Sequence, residues 1–173
     1  MAIMIIFWVP DGFRKQRSLQ KIESWHRSTV RSSGEKEIDL GGLSVRVVHC
    51  PGHTDGSAVA YVPERSLLLT GDDWNPCTWL FFPEALPVQE YRKNIRKLLD
   101  LPFQSILCPH RRELYERSML EDFITGISDE NLISAKPVDT GSWMGIQTVQ
   151  AEPAPDQCLV FDSAKMNLNI RGI

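Results

Sequence analysis

The chain carries no hydrophobic run long enough to cross a bilayer. Its N-terminal apolar stretch, Met1 to Val9, ends at Pro10-Asp11-Gly12, far short of the roughly 20 apolar residues that a spanning helix needs. That stretch has no basic segment of the kind that opens a secretory signal, and it reads as a buried strand followed by a turn. Cysteine is sparse. Cys50, Cys77, Cys108 and Cys158 form no Cys-x-x-Cys pair and keep no regular spacing, which argues against a zinc ribbon and a disulfide scaffold. Reduced thiols in a cytoplasmic protein are the simplest expectation. Positive charge is not in excess either: the net charge of −3 gives no reason to expect nucleic-acid binding. There are only four histidines, His26, His49, His53 and His110, and no two of them stand as His-x-His. No internal repeat or low-complexity linker interrupts the chain.

What is present suits one soluble domain over residues 1–173. With 42% hydrophobic and 24% charged residues, the composition is that of a globular protein, and the length supports a single core. The pattern reads as α/β. Ser18 to Ser28 has Leu19, Ile22 and Trp25 at helical spacing, and a polar turn, Ser32 to Lys36, follows. Leu43, Val45 and Val47 alternate with Ser44 and Arg46, which predicts a strand with one buried face. Ser57 to Val62 and Ser66 to Thr70 predict a hairpin around Pro63-Glu64-Arg65. Pro87 opens a helix with Tyr91, Ile95, Leu98 and Leu99 on one face, and Pro102 follows its end. Gln104 to Cys108 is the next strand. Leu114 to Ile127 predicts a second helix with Leu114, Met119, Phe123 and Ile127 toward the core. Ala151 to Asp156 reads as a Pro-containing loop. Cys158 to Phe161 and Lys165 to Ile170 read as a closing hairpin through Asp162-Ser163.

The chemistry gathers in three short pieces: Pro51-Gly52-His53-Thr54-Asp55-Gly56-Ser57, Thr70-Gly71-Asp72-Asp73, and Cys108-Pro109-His110. Each places a metal-ligating side chain beside an apolar strand, where a loop can hold it at a sheet edge. Imidazole and carboxylate donors of this kind suit zinc or iron.

In these pieces the chain resembles the metallo-β-lactamase-fold hydrolases, the superfamily that includes glyoxalase II. The resemblance runs from about Asp39 to Glu113. Leu40 to Val48 matches the strand leading into the family's Pro-Gly-His-Thr motif. His53 matches its histidine ligand, Asp72 the carboxylate that bridges two metals, and His110 the last histidine, with Cys-Pro-His standing where the family usually has Pro-Gly-His. The resemblance implies an αββα sandwich and up to two ions of zinc, iron or manganese. It also implies attack of a metal-bound hydroxide on an ester, thioester, lactone, amide or phosphoester of a small-molecule substrate, with Asp72 orienting the nucleophile.

The family's His-x-His-x-Asp-His signature is absent from the chain. Only fifty residues precede Pro51, so the expectation is a fold incomplete at its N-terminus. A catalytic zinc takes three protein ligands plus an open position. With His53, Asp72 and His110 alone, weak or no metal binding is expected unless other groups fill in, and Asp55, Asp73, Cys108 and His49 are the local candidates. The competing reading is a non-catalytic remnant or interaction module of the same fold. At single residues the plainer readings stay open: His53 as a turn-capping histidine, Asp72, Asp55 and Asp73 as turn residues, Cys50 and Cys108 as small buried hydrophobes. The aromatic segment Trp74 to Phe82 reads equally as a substrate wall or as sheet packing. As an exposed apolar surface it would instead serve a homodimer.

Overall fold

The computed structural model describes residues 36–141 and 145–166. The chain divides into two compact units, residues 1–34 and residues 35–173, and every described residue belongs to the second. The strand expected at Met1 to Val9 and the helix expected at Ser18 to Ser28 lie outside the described residues, as does most of the turn before Lys36.

Two sheets carry the described residues. In chain order the strands are β1 (Lys36–Asp39), β2 (Ser44–His49), β3 (Ala58–Val62), β4 (Leu67–Leu69), β5 (Cys77–Leu80), β6 (Ser105–Leu107), β7 (Tyr115–Glu116), β8 (Lys136–Pro137), β9 (Thr148–Ala154) and β10 (Gln157–Asp162). The first sheet runs β1-β2-β3-β4-β6-β7 and the second β5-β10-β9-β8. Three helices accompany them, α1 (Val88–Arg96), α2 (Arg117–Gly126) and α3 (Asp129–Ile133). One hydrophobic core joins both sheets and the helices. Val59, Leu68 and Ile106 come from the first sheet, Leu80, Leu159 and Phe161 from the second, and Tyr91, Ile95, Leu120 and Phe123 from α1 and α2. This is the expected α/β architecture of mixed sheets with helices.

The expected hairpin forms as β3 and β4, paired antiparallel with Ala60 opposite Leu69, across a single 3-10 turn at Pro63–Arg65. Pro87 precedes α1 as expected, because its fixed φ suits the start of a helix. Tyr91 and Ile95 are buried there, and Leu98 in the 3-10 turn that follows. The strand at Ser44–His49 also forms, but its side chains are half-buried on both faces until the exposed His49, so the alternation of sequence does not produce alternating burial.

Three expectations are corrected. Leu114 is exposed, because the chain pairs as β7 against β6 before the helix begins at Arg117; Leu120, Phe123 and Ile124 are buried on that helix instead. The stretch from Ala151 is not a loop. It is the end of β9, which pairs antiparallel with β10, so the partner of Cys158 to Phe161 lies upstream and not at Lys165. Asp156, at φ 58, makes the turn between them. Finally, Cys77 and Cys158 form a disulfide across 81 residues, against the expectation of reduced thiols. They are register partners on the neighbouring parallel strands β5 and β10, and their Cα atoms are 4.4 Å apart, within bridging range. Cys50 and Cys108 are free and buried.

Candidate metal centre

Strand direction explains why the three motif pieces meet. β4 and β6 are parallel neighbours, with Leu69 opposite Leu107, so the loops that leave their C-terminal ends lie side by side. β2 ends opposite the start of β3, His49 against Ala58, and β3 starts at the end where β4 finishes. The loops 50–57, 70–76 and 108–114 therefore share one edge of the first sheet. His53, Asp72 and His110 stand on those three loops.

Asp72 and His110 meet directly. The Nε2 of His110 lies 3.2 Å from Asp72 Oδ1, with side chains 77% and 49% exposed. His110 holds this place with φ 67, a left-handed conformation that costs a non-glycine residue about 1–3 kcal/mol. Thr70 N–H, bonded to the carbonyl of Leu107 at 3.2 Å, ties the two loops at their roots.

His53 is held differently. Its Nδ1 lies 2.8 Å from the backbone carbonyl of Trp79. A carbonyl only accepts, so Nδ1 carries the proton and the neutral ring keeps its lone pair at Nε2. A donor histidine anchored through its other nitrogen is the arrangement that fixes ring orientation and tautomer for a metal. The ring also meets Phe82 edge-on, with centroids 5.2 Å apart. The backbone N–H of His53 donates to Asp73 Oδ1 at 3.1 Å. The loop itself is tied down by Leu86 N–H to the Gly52 carbonyl at 2.9 Å and by Asn94 Nδ2 to the Pro51 carbonyl at 2.9 Å.

Of the groups that could fill in as extra ligands, Asp73, Cys108 and His49 are buried or engaged elsewhere, and Asp55 is exposed. Asp73 is 2% exposed. Burial pushes its carboxyl up to about 7, against the hydrogen bonds from His53 N–H and the Ser57 hydroxyl that favour the charged form; the Asp72 charge adds to the rise. Cys108 is buried and its thiol is pushed up to about 11, chiefly by desolvation, which keeps it from the thiolate form that binds metal. Cys50 is raised further by the same cause, with Asp73 adding. His49 is exposed, and its Nε2 contacts the Asp55 carbonyl at 3.2 Å. Two imidazoles and a carboxylate suit zinc in kind. Among the described residues, however, no three His, Cys, Asp or Glu side chains stand close enough together to hold an ion.

Most of the aromatic segment is packing. Trp74, Leu80 and Phe81 are buried, and Trp74 meets Tyr115 and Phe123 edge-on. Trp79 is 44% exposed, tilted over Phe81 at 5.2 Å, and Phe82 stacks on Phe81 at 4.7 Å. A line of aromatic rings thus runs from Trp79 to His53. Sequence reasoning missed the supports of His53: the Trp79 carbonyl, the Phe82 ring and the buried Asp73. The carbonyl has no sequence signal, since any residue supplies one. For Asp73 the only trace was the doubled aspartate after Gly71.

The sequence model of the Metallo-beta-lactamase superfamily matches residues 5–110. The chain is similar to a hydroxyacylglutathione hydrolase from Bartonella tribocorum, 34% identical over 94 residues, covering 53% of this chain and 36% of that protein. It thus spans about a third of the length of that relative. Among solved structures it is similar to an archaeal metallo-beta-lactamase superfamily protein from Sulfolobus tokodaii, at 23% identity and TM-score 0.44, over 64% of this chain and 43% of that one. It is also similar to ETHE1 from Myxococcus xanthus, at 21% identity and TM-score 0.44, over 52% and 42% of the two chains.

Proposed function

The chain belongs to the metallo-beta-lactamase superfamily, and from that premise we propose that its site is part of a zinc-dependent hydrolase centre acting on an acyl compound. The observation that carries the reading is the meeting of three donor loops at one sheet edge, with Asp72 and His110 3.2 Å apart and His53 anchored through Nδ1. When bound, such an ion activates water for attack on a carbonyl and polarises that carbonyl. The chain's own share is to present donors. His53 offers Nε2 in a fixed tautomer, Asp72 offers a half-exposed carboxylate, and His110 opens from Asp72 to take its own position. Iron or manganese is the alternative ion, since both accept these donor types. Trp79, 44% exposed, and the half-buried Phe82 supply an apolar wall for the non-reacting part of a substrate.

A thioester is the first substrate class to try, because the Bartonella relative is named for one. The purified chain is incubated with zinc and a hydroxyacyl thioester of glutathione, and thiol release is followed; esters, lactones and a β-lactam form the rest of the panel. Zinc-dependent release that disappears in Asp72→Ala supports the reading. No turnover of any panel member at saturating zinc removes it.

A non-catalytic interaction module is the second reading, favoured by the absence of three converging ligands among the described residues. It predicts no turnover and no zinc uptake by the folded chain.

A further inference from the structure

We infer that Asp73 is the positioning residue of the His53 loop: its buried carboxylate, by holding the backbone N–H of His53, sets where the imidazole stands. The hydrogen bond is independent of any activity; the role of His53 as a donor rests on the metallo-hydrolase reading above.

Several observations converge on Asp73. It is 2% exposed, and a carboxylate is kept at such a place only where its oxygens are satisfied. Its Oδ1 receives the His53 N–H at 3.1 Å, and the Ser57 hydroxyl donates to the same carboxylate. Ser57 Oγ in turn receives Thr54 N–H at 3.1 Å, so both sides of the 53–57 turn hang from one side chain. The Asp73 carbonyl is held by the hydroxyl of Tyr91 at 2.7 Å, and Tyr91 is fully buried on α1. Gly52 permits the close approach. A Cβ there would run into the Tyr91 ring and lie 3.4 Å from Asp73 Oδ1.

The consequence is geometric. His53 is fixed at its backbone by Asp73 and at its ring by the Trp79 carbonyl, 2.8 Å from Nδ1. Two anchors on one residue leave the imidazole little freedom, so Nε2 is presented before any ligand arrives. Asp73 is buried, and its Oδ1 is turned to the loop that carries His53. Its neighbour Asp72 is half-exposed, which divides the labour of the doublet: Asp72 for the ligand, Asp73 for the loop.

The test uses the full chain, isotopically labelled, with Asp73→Ala and Asp73→Asn. The parent is expected to show scalar coupling across the hydrogen bond, between the His53 amide nitrogen and the Asp73 side-chain carboxyl carbon. In Asp73→Ala, exchange of the His53 amide should rise about tenfold or more, the Nδ1–H tautomer should lose its dominance in the imidazole nitrogen shifts, and zinc affinity should fall about 10–100-fold. Asp73→Asn keeps an oxygen at the same place and should restore all three. A merely structural aspartate would lower the melting temperature and leave the tautomer unmoved. The proposal is overturned if the parent lacks the coupling, or if Asp73→Ala folds with His53 exchange and tautomer unchanged. If Asp73→Ala does not fold, the coupling in the parent and the behaviour of Asp73→Asn decide. If the parent takes up no zinc, the metallo-hydrolase reading falls, while the coupling and exchange data still decide the role of Asp73.

Discussion

His53 and His110 serve the same sheet edge under opposite conditions. His53 is braced at its ring by the Trp79 carbonyl and Phe82, and at its backbone by the buried Asp73. His110 is 77% exposed at its side chain, meets Asp72 at 3.2 Å, and sits at φ 67. The first is held by bonds to the buried Asp73 and to the backbone of the second sheet, and its position is decided when the protein folds. The second is a surface pair whose Coulomb energy is screened and small. The sheet edge thus holds one braced imidazole and one exposed pair. Perturbing the core should therefore reach His53, and perturbing the surface should reach only the Asp72–His110 pair.

The strongest way to break that contrast is at the disulfide. Cys77 lies on β5, the strand that supplies the Trp79 carbonyl, and Cys158 ties it to β10. Cys158→Ser is expected to cost about 2–5 kcal/mol in urea unfolding and to move the His53 imidazole resonances while leaving those of His110 in place. Equal movement of both would mean the two donors are one mechanical unit. Gly52→Ala comes next. Its new methyl collides with a fully buried ring, so a loss of about 1–3 kcal/mol is expected, again with the signature confined to His53.

On the soft side, Asp72→Asn removes the exposed pair and should change unfolding free energy by no more than about 0.5 kcal/mol. A cost as large as that of Gly52→Ala would show that the His110 side is structural after all. The smallest effect is expected at a contact remote from both histidines. The Ser44 hydroxyl donates to Glu64 at 2.7 Å and, as the largest cause, holds that carboxyl below the ordinary carboxylate range. A folded-state value below the unfolded one stabilises the ionised form. The contribution is therefore present above the unfolded value and lost as pH falls through the folded one. Ser44→Ala should flatten this acid-side slope of stability slightly, and an unchanged slope would remove Glu64 from the account.

The sequence made visible what rests on local pattern. The hairpin β3–β4, the helix after Pro87 and the strand at Ser105–Leu107 follow from alternation, helical spacing and proline punctuation. The three donor loops were legible as motifs, and strand direction then placed them at one edge. What stayed hidden depends on long-range register. Pro153 and Pro155 made the segment after Ala151 look like a loop, because proline normally interrupts a ladder, yet Pro153 is buried within β9. Cys77 and Cys158 are 81 residues apart, with no spacing rule to join them. The support of His53 by a backbone carbonyl of the second sheet leaves no mark in composition, and Asp73 was overshadowed by Asp72, the residue that the resemblance singled out.

The most direct test of the central claim is the zinc content of the purified chain after equilibration with the metal, measured by elemental analysis beside Asp72→Ala. Weakly held zinc is expected in the parent, near one ion per chain at saturation, and is expected to be lost in the variant. Zinc absent from both, or equally present in both, would contradict it and leave the sheet edge without the role assigned to it.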